Sequence, residues 1–186
     1  MKPAADVRVR RTRERLRQAF ISLFFARDYE AISMADIAAV AGVGRSTIYE
    51  HYRDKQDLLR DTVRYPLQGL AAAVDGAAGL AAVQVSLDHF WANRGNRSIQ
   101  RESTRRAITR VLAELIEARL TDRDGRADSG ADRCRATAVL VAELQLGVIH
   151  AWLRGDLALA ADALAAQLTA AAQAVCAGKV STPARR

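Results

Sequence analysis

Apolar residues recur at intervals of three and four along most of this 186-residue chain, and no stretch shows the period-two alternation rich in Val, Ile and Thr that marks a strand. Leu16, Ala19, Phe20, Leu23 and Phe24 fall on one face, which predicts a helix over residues 7–26. Asp28-Tyr29-Glu30 reads as a turn, and Ser33 or Met34 opens a second helix with Ile37, Ala38 and Ala41 inward. Gly42 follows, where a sharp turn calls for a left-handed backbone. A short third helix is expected over 45–51, with Ile48 inward. Asp54 is placed as the N-cap of a fourth helix, and Asp57 at its N3 position. Leu58, Leu59, Val63, Leu67 and Leu70 give that helix its apolar face, and Pro66 inside it predicts a kink. Gly76 and Gly79 mark a break. Further helices are expected over 80–93, 104–120, 131–154 and 157–177, with turns at 94–96 and 155–156 and a loop over 121–130. The pattern describes an all-α protein with a three-helix head over 1–52 and a roughly six-helix body over 53–180. The helix over 53–75 is the expected connection between them, and 181–186 forms a tail.

The stretch ISMADIAAVAGVGRSTIYEHYRDKQDLL, residues 32–59, carries the most specific information. Two short helices joined through Gly42, with Val43 and Ile48 holding the second across the first, have helix-turn-helix spacing. Arg45, Ser46, Thr47, Tyr49 and His51 are left available to a DNA major groove. The run Ile37-Ala38, Ala41-Gly42-Val43, Thr47-Ile48-Tyr49, His51-Tyr52, Lys55 and Leu58-Leu59 resembles the N-terminal domain of TetR-family transcriptional regulators. The resemblance covers about residues 12–65 in detail and is architectural beyond them. One departure stands at Gly44, where the family usually has Ser or Thr. Glycine is a tolerated N-cap, but it brings no hydroxyl to a phosphate.

The resemblance implies a DNA-binding regulator and assigns Tyr49 a contact to a phosphate or a base edge, and His51 one to a phosphate. Lys55, in the first turn of the fourth helix, suits a phosphate as well. Arg45 and Ser46 are the candidates for base readout, since Arg can take guanine in bidentate fashion, and Thr47 for the backbone. The formal charge of +7 fits an acidic partner, and the surplus is densest in residues 1–65, with 13 basic against 9 acidic side chains. Arg8, Arg10, Arg11, Arg13, Arg15 and Arg17 crowd the first helix and read as a phosphate-contacting arm. Arg97, Arg101 and Arg105, with Arg94, Arg106 and Arg110, read instead as a solvated helix face, with an acidic-ligand or DNA-facing patch as the alternative.

Other chemistries find little support. There is no Gly-rich phosphate loop, HExxH or nucleophile elbow, and His51, His89 and His150 lack metal-ligand spacing, so neither enzyme activity, cofactor nor metal is expected. Cys134 and Cys176 share no redox or metal spacing and are expected as buried thiols in a reducing cytoplasm. No secretory leader or membrane span is expected, the most apolar run being the alanine-rich 157–177. For the body, His89, Phe90, Trp91, Leu112 and Trp152 are the candidate lining of an effector cavity, with Asn93 and His150 as further polar candidates. By resemblance the last two helices form a homodimer surface, and Val141, Leu144, Val148, Trp152, Leu164, Leu168 and Val175 supply its apolar stripes. The expected function is repression at a palindromic operator, relieved by a small molecule. The alternatives are a regulator without an effector and a small-molecule enzyme or carrier with a vestigial head.

Overall fold

The computed structural model describes residues 3–95, 101–124 and 131–178. They form eight α-helices: α1 Pro3–Ala26, α2 Met34–Ala41, α3 Arg45–His51, α4 Lys55–Ala71, α5 Leu80–Ala92, α6 Glu102–Asp124, α7 Ala131–Leu153 and α8 Ala161–Cys176. Two 3₁₀ segments, Tyr29–Ala31 and Ala72–Gly79, complete the order. The chain is all-α, as its periodicity predicts, and the sixth helical piece of the body is the 3₁₀ segment after α4. The described residues divide into two compact units, 3–63 with 101–107, and 64–95 with 108–124 and 131–178. The division falls inside α4 and inside α6, so α4 is not the single continuous element shared by the two units.

The first unit is built on Leu16, Phe20, Ile37, Ile48, Leu58 and Leu59, all fully buried. Phe20, Phe24 and Tyr29 extend this core as a chain of ring contacts 5.4 and 6.2 Å apart. Each turn has a local cause. Ser33 caps α2 by accepting from the Asp36 amide, while Asp36 accepts from the Ser33 amide in return. Those hydrogen bonds from Ser33 hold the Asp36 carboxyl below its ordinary range. Gly42 ends α2 in the left-handed region at φ 62°, which a residue with a side chain adopts only under strain. Asp54 Oδ1 accepts from the Asp57 amide at 2.7 Å, as a cap at that position should.

The second unit buries Leu67, Leu70, Leu87, Leu112, Ile116 and Leu164 completely. α4 runs without interruption through Pro66, and the break follows at Gly76, with φ 66° and ψ −134°. α4 and α5 cross at Gly69, where an added Cβ would lie 2.0 Å from Ser86 Oγ and 2.4 Å from the Ala82 carbonyl oxygen. Only glycine permits that approach. The Val74 carbonyl then collects Arg123 Nη1 at 3.2 Å and the Gln173 side-chain amide, tying the 3₁₀ segment to α6 and α8.

Several expectations are corrected. Residues 121–124 continue α6 rather than opening a loop, because Thr121 bonds back to the Glu117 carbonyl and Arg123 reaches Val74. The rest of that expected loop, 125–130, lies outside the described residues, as do Asn96, Arg97 and the tail 181–186. α8 begins at Ala161, not 157. The Trp152 indole donates to the Leu159 carbonyl at 2.9 Å, and Ala160 is extended as the cap. Cys134 and Cys176 are half-buried rather than buried. Lys55–Ala92 and Ala131–Leu153 are apolar and long enough to cross a membrane by length and composition, which the sequence reading had not marked. The first is interrupted at Gly76, and in the second Gln145 donates a buried hydrogen bond to the Leu70 carbonyl, so α7 has a core-facing side.

Four residues expected on a dimer surface, Val141, Trp152, Leu164 and Leu168, are buried inside their own unit. Leu144, Val148 and Val175 are half-buried. α7 is apolar on two faces, and the protomer's core takes one of them. The other presents Leu140, 60% exposed, with Leu144, Gly147 and Val148, while α8 turns Ala163, Ala166, Ala170 and Ala174 outward.

Candidate nucleic-acid interface

α3 is seven residues long, and its inward side consists of Ile48 alone, fully buried, followed by Tyr52 at 2% exposure. Helical geometry therefore turns the other positions away from the core. Arg45 and Ser46 are exposed, Thr47 and His51 half-buried, and Tyr49 exposes 48% of its surface. An amphipathic residue so placed is available to an outside partner, as the sequence reading required of it. Gly44 caps α3 with an extended backbone and no side-chain hydrogen bond.

Lys55 occupies a different environment from its neighbours. Its Nζ donates to the Tyr29 carbonyl at 2.6 Å and to the Glu30 carbonyl at 3.4 Å, and sits 4.3 Å from the Tyr29 ring centroid. Burial lowers its pKa, partly offset by the charge of Glu30. Two of its three N–H donors thus brace the α1–α2 connection, a role that spacing alone does not reveal.

The arginines of α1 separate into two groups. Arg13 Nη2 pairs with Asp61 at 3.3 Å and its Nε approaches Tyr52 Oη at 3.4 Å, with the guanidinium 5.3 Å above the Tyr52 ring. Arg15 Nη2 donates to the Ala41 and Gly42 carbonyls at 2.5 and 3.0 Å, and Arg17 pairs with Glu14. Arg8, Arg10 and Arg11 are exposed and form no ion pair among the described residues. Arg8, Arg11, Thr12 and Arg15 line one side of a groove of about 330 Å³, and Val43, Gly44 and Thr47 line the other. The signal for this groove was present in the spacing 8, 11, 15, but which surface that face meets is not written in it.

Most of the described arginines of the second basic cluster are engaged within the protein. Arg105 and Arg106 both pair with Glu102, whose pKa their hydrogen bonds lower to about 2, Arg101 pairs with Asp28, and Arg94 lies 4.4 Å over the Trp91 ring. Of the candidate effector-lining residues, Phe90, Leu112 and Trp152 are buried, whereas His89 and Trp91 are exposed on α5. Trp91 and Trp152 meet with ring centroids 4.6 Å apart. No group of three or more His, Cys, Asp or Glu side chains among the described residues is placed to hold a metal.

Residues 17–62 match the family model of bacterial regulatory proteins of the tetR family. An HTH-type transcriptional repressor of Mycolicibacterium smegmatis, LfrR, is 39% identical over 67 residues, which are 35% of this chain and 35% of that protein. An uncharacterized HTH-type transcriptional regulator of Bacillus subtilis, YxbF, is 38% identical over 60 residues, or 32% of this chain and 16% of its own length. The matched stretches thus span about a third or less of these relatives. A TetR-family regulator from Streptomyces coelicolor shares the fold, with a TM-score of 0.55 at 23% identity over 90% of this chain and 95% of that one.

Proposed function

We propose that this chain, whose residues 17–62 match the family model of bacterial regulatory proteins of the tetR family, is a transcriptional repressor rather than an enzyme, acting in the cytoplasm on double-stranded operator DNA. The observation that carries this reading is the division of α3, with Ile48 and Tyr52 inside while Arg45, Ser46 and Tyr49 stand clear of the protein. Arg45 and Ser46 read base edges. Thr47, Tyr49 and His51 contact the backbone, and Lys55 presents its remaining N–H to a phosphate while bracing Tyr29 and Glu30. If Arg45 takes a base, Arg45→Ala costs about 1–3 kcal/mol on the cognate site and relaxes preference at one position per half-site. Anisotropy titrations on cognate and scrambled duplexes check this. Equal losses on both would move Arg45 to backbone positioning.

The outward faces of α7 and α8 support a homodimer, which would present two α3 helices to a palindromic site. We assign release to a small molecule held in the body near Phe90, Leu112 and Trp152, acting through α4, whose residues belong to both units. Such a ligand works only through its different affinities for the DNA-competent and DNA-incompetent states. Operator must then weaken ligand binding by the factor by which ligand weakens operator binding, a coupling of about 1–3 kcal/mol. Calorimetric titration of a candidate ligand with and without operator measures it. Equal affinity in both titrations would exclude release by that ligand and leave an effector-independent regulator.

A further inference from the structure

We propose that α1 is itself part of the nucleic-acid interface: Arg8 and Arg11, with Thr47 across the groove, seat one phosphodiester of the duplex backbone. This rests on the DNA-binding reading above and names the chemistry of a surface that α3 does not supply. Four observations carry it. Arg8, Arg11, Thr12 and Arg15 recur at helical spacing and converge on one groove, whereas Arg10 and Arg17 lie about half a turn away around α1. Arg15 is spent on the Ala41 and Gly42 carbonyls, which fixes α1 against the turn between α2 and α3 and holds the groove's two walls together. Arg8 and Arg11 have no acidic partner among the described residues, so their charge is available to an anion. The far wall includes Gly44, with no side chain, and the half-buried Thr47, leaving room beside a hydroxyl able to donate.

The chemistry of that lining is phosphate recognition. Two guanidinium groups offer planar paired donors, the geometry that suits phosphate oxygens, and a threonine hydroxyl adds a third direction. A phosphate contact carries no sequence information. Its contribution should therefore be equal on every sequence and strongly dependent on salt. It would also serve in place of the hydroxyl that Gly44 lacks.

The test compares full-length Arg8→Gln/Arg11→Gln with Arg10→Gln and the unmodified chain on a cognate and a scrambled labelled duplex, across a salt series. Each neutralised phosphate contributes roughly 0.9 to the slope of log K against log salt, so the double variant, which gives up one phosphate, should lower the slope by about one on both duplexes. Arg10→Gln, off the groove, should leave the slope nearly unchanged, and Arg8→Lys/Arg11→Lys should retain most of it. An unchanged slope in the double variant overturns the proposal, and so does an equal loss in Arg10→Gln, which would mean that only net charge matters. Because Arg8 and Arg11 are exposed, the double variant should melt with the unmodified chain, and the lysine pair keeps the comparison valid if it does not. A second arm titrates inorganic phosphate against chloride at matched ionic strength. Saturable phosphate binding by the unmodified chain, lost in the double variant while duplex binding is unaffected, would assign the groove to a free anion and overturn the duplex form. If the unmodified chain binds neither duplex, the DNA reading itself fails, whereas failure of the double variant alone to respond sinks only the groove.

Discussion

Gly44 is the residue at which this chain departs from the family pattern, and its surroundings explain why the departure is tolerated. Its backbone, at φ −66° and ψ 153°, is open to any L-residue, and an added Cβ would meet only Ser46 Oγ and Thr47 Oγ1, both at 3.8 Å. No strain and no clash demand glycine there. Gly44→Ser should therefore restore a side-chain cap to α3 and stabilise it by roughly a few tenths of a kcal/mol, raising the melting temperature by about 1 °C. Paired thermal melts of the two proteins decide the sign. A lowered midpoint would show that the groove wall needs the open position for another reason. Lys55 shows the converse at the same scale. Motif spacing places it at a phosphate, yet two carbonyls of the α1–α2 connection already hold it.

At the scale of elements, the joint between α1, the end of α3 and α4 is a single polar network. Tyr52 Oη donates to Asp61 Oδ2 at 2.6 Å, and Arg13 approaches both partners. Burial and then the bond to Asp61 push the Tyr52 phenol from 10.0 up to about 12. A folded-state pKa above the unfolded value means that the neutral phenol is favoured on folding. The contribution is therefore complete below pH 10 and is lost as pH rises through about 12. Tyr52→Phe removes the group, so it should lower stability at neutral pH yet show a shallower loss of stability between pH 10 and 12 than the unmodified chain. Denaturant midpoints measured across that range check it. Parallel curves would mean that the Tyr52 phenol is no more favoured in the folded state than in the unfolded one.

For the whole molecule the open question is assembly, and the burial pattern selects the residue with which to ask it. Cutting the chain before α7 would not isolate an interface, because Leu164, Leu168 and Trp152 belong to the protomer's own core. Leu140 is 60% exposed and does not. If α7 and α8 form the dimer surface, Leu140→Glu should yield a monomer at micromolar concentration with nearly the same secondary structure. Sedimentation equilibrium reads this directly. A dimer that persists with unchanged affinity would place the interface elsewhere.

Local signals determined most of the architecture. The three- and four-residue repeats gave all eight helices, and the Ser33 and Gly42 signals set the two ends of α2 and Asp54 the start of α4, because capping acts over a few residues. The outward set on α3 was legible for the same reason: with Ile48 and Tyr52 inside, helical period leaves Tyr49 outside. Tertiary structure alone decided how side chains with several possible partners were spent. Arg13 went to Asp61 and Arg15 to two carbonyls, while Arg8 and Arg11 went to neither. It also decided which apolar face of α7 belongs to the core, and it carried α6 through residues that read locally as a loop. Each choice depends on groups distant in sequence, such as Arg123 meeting Val74, and an intrahelical period contains no information about them.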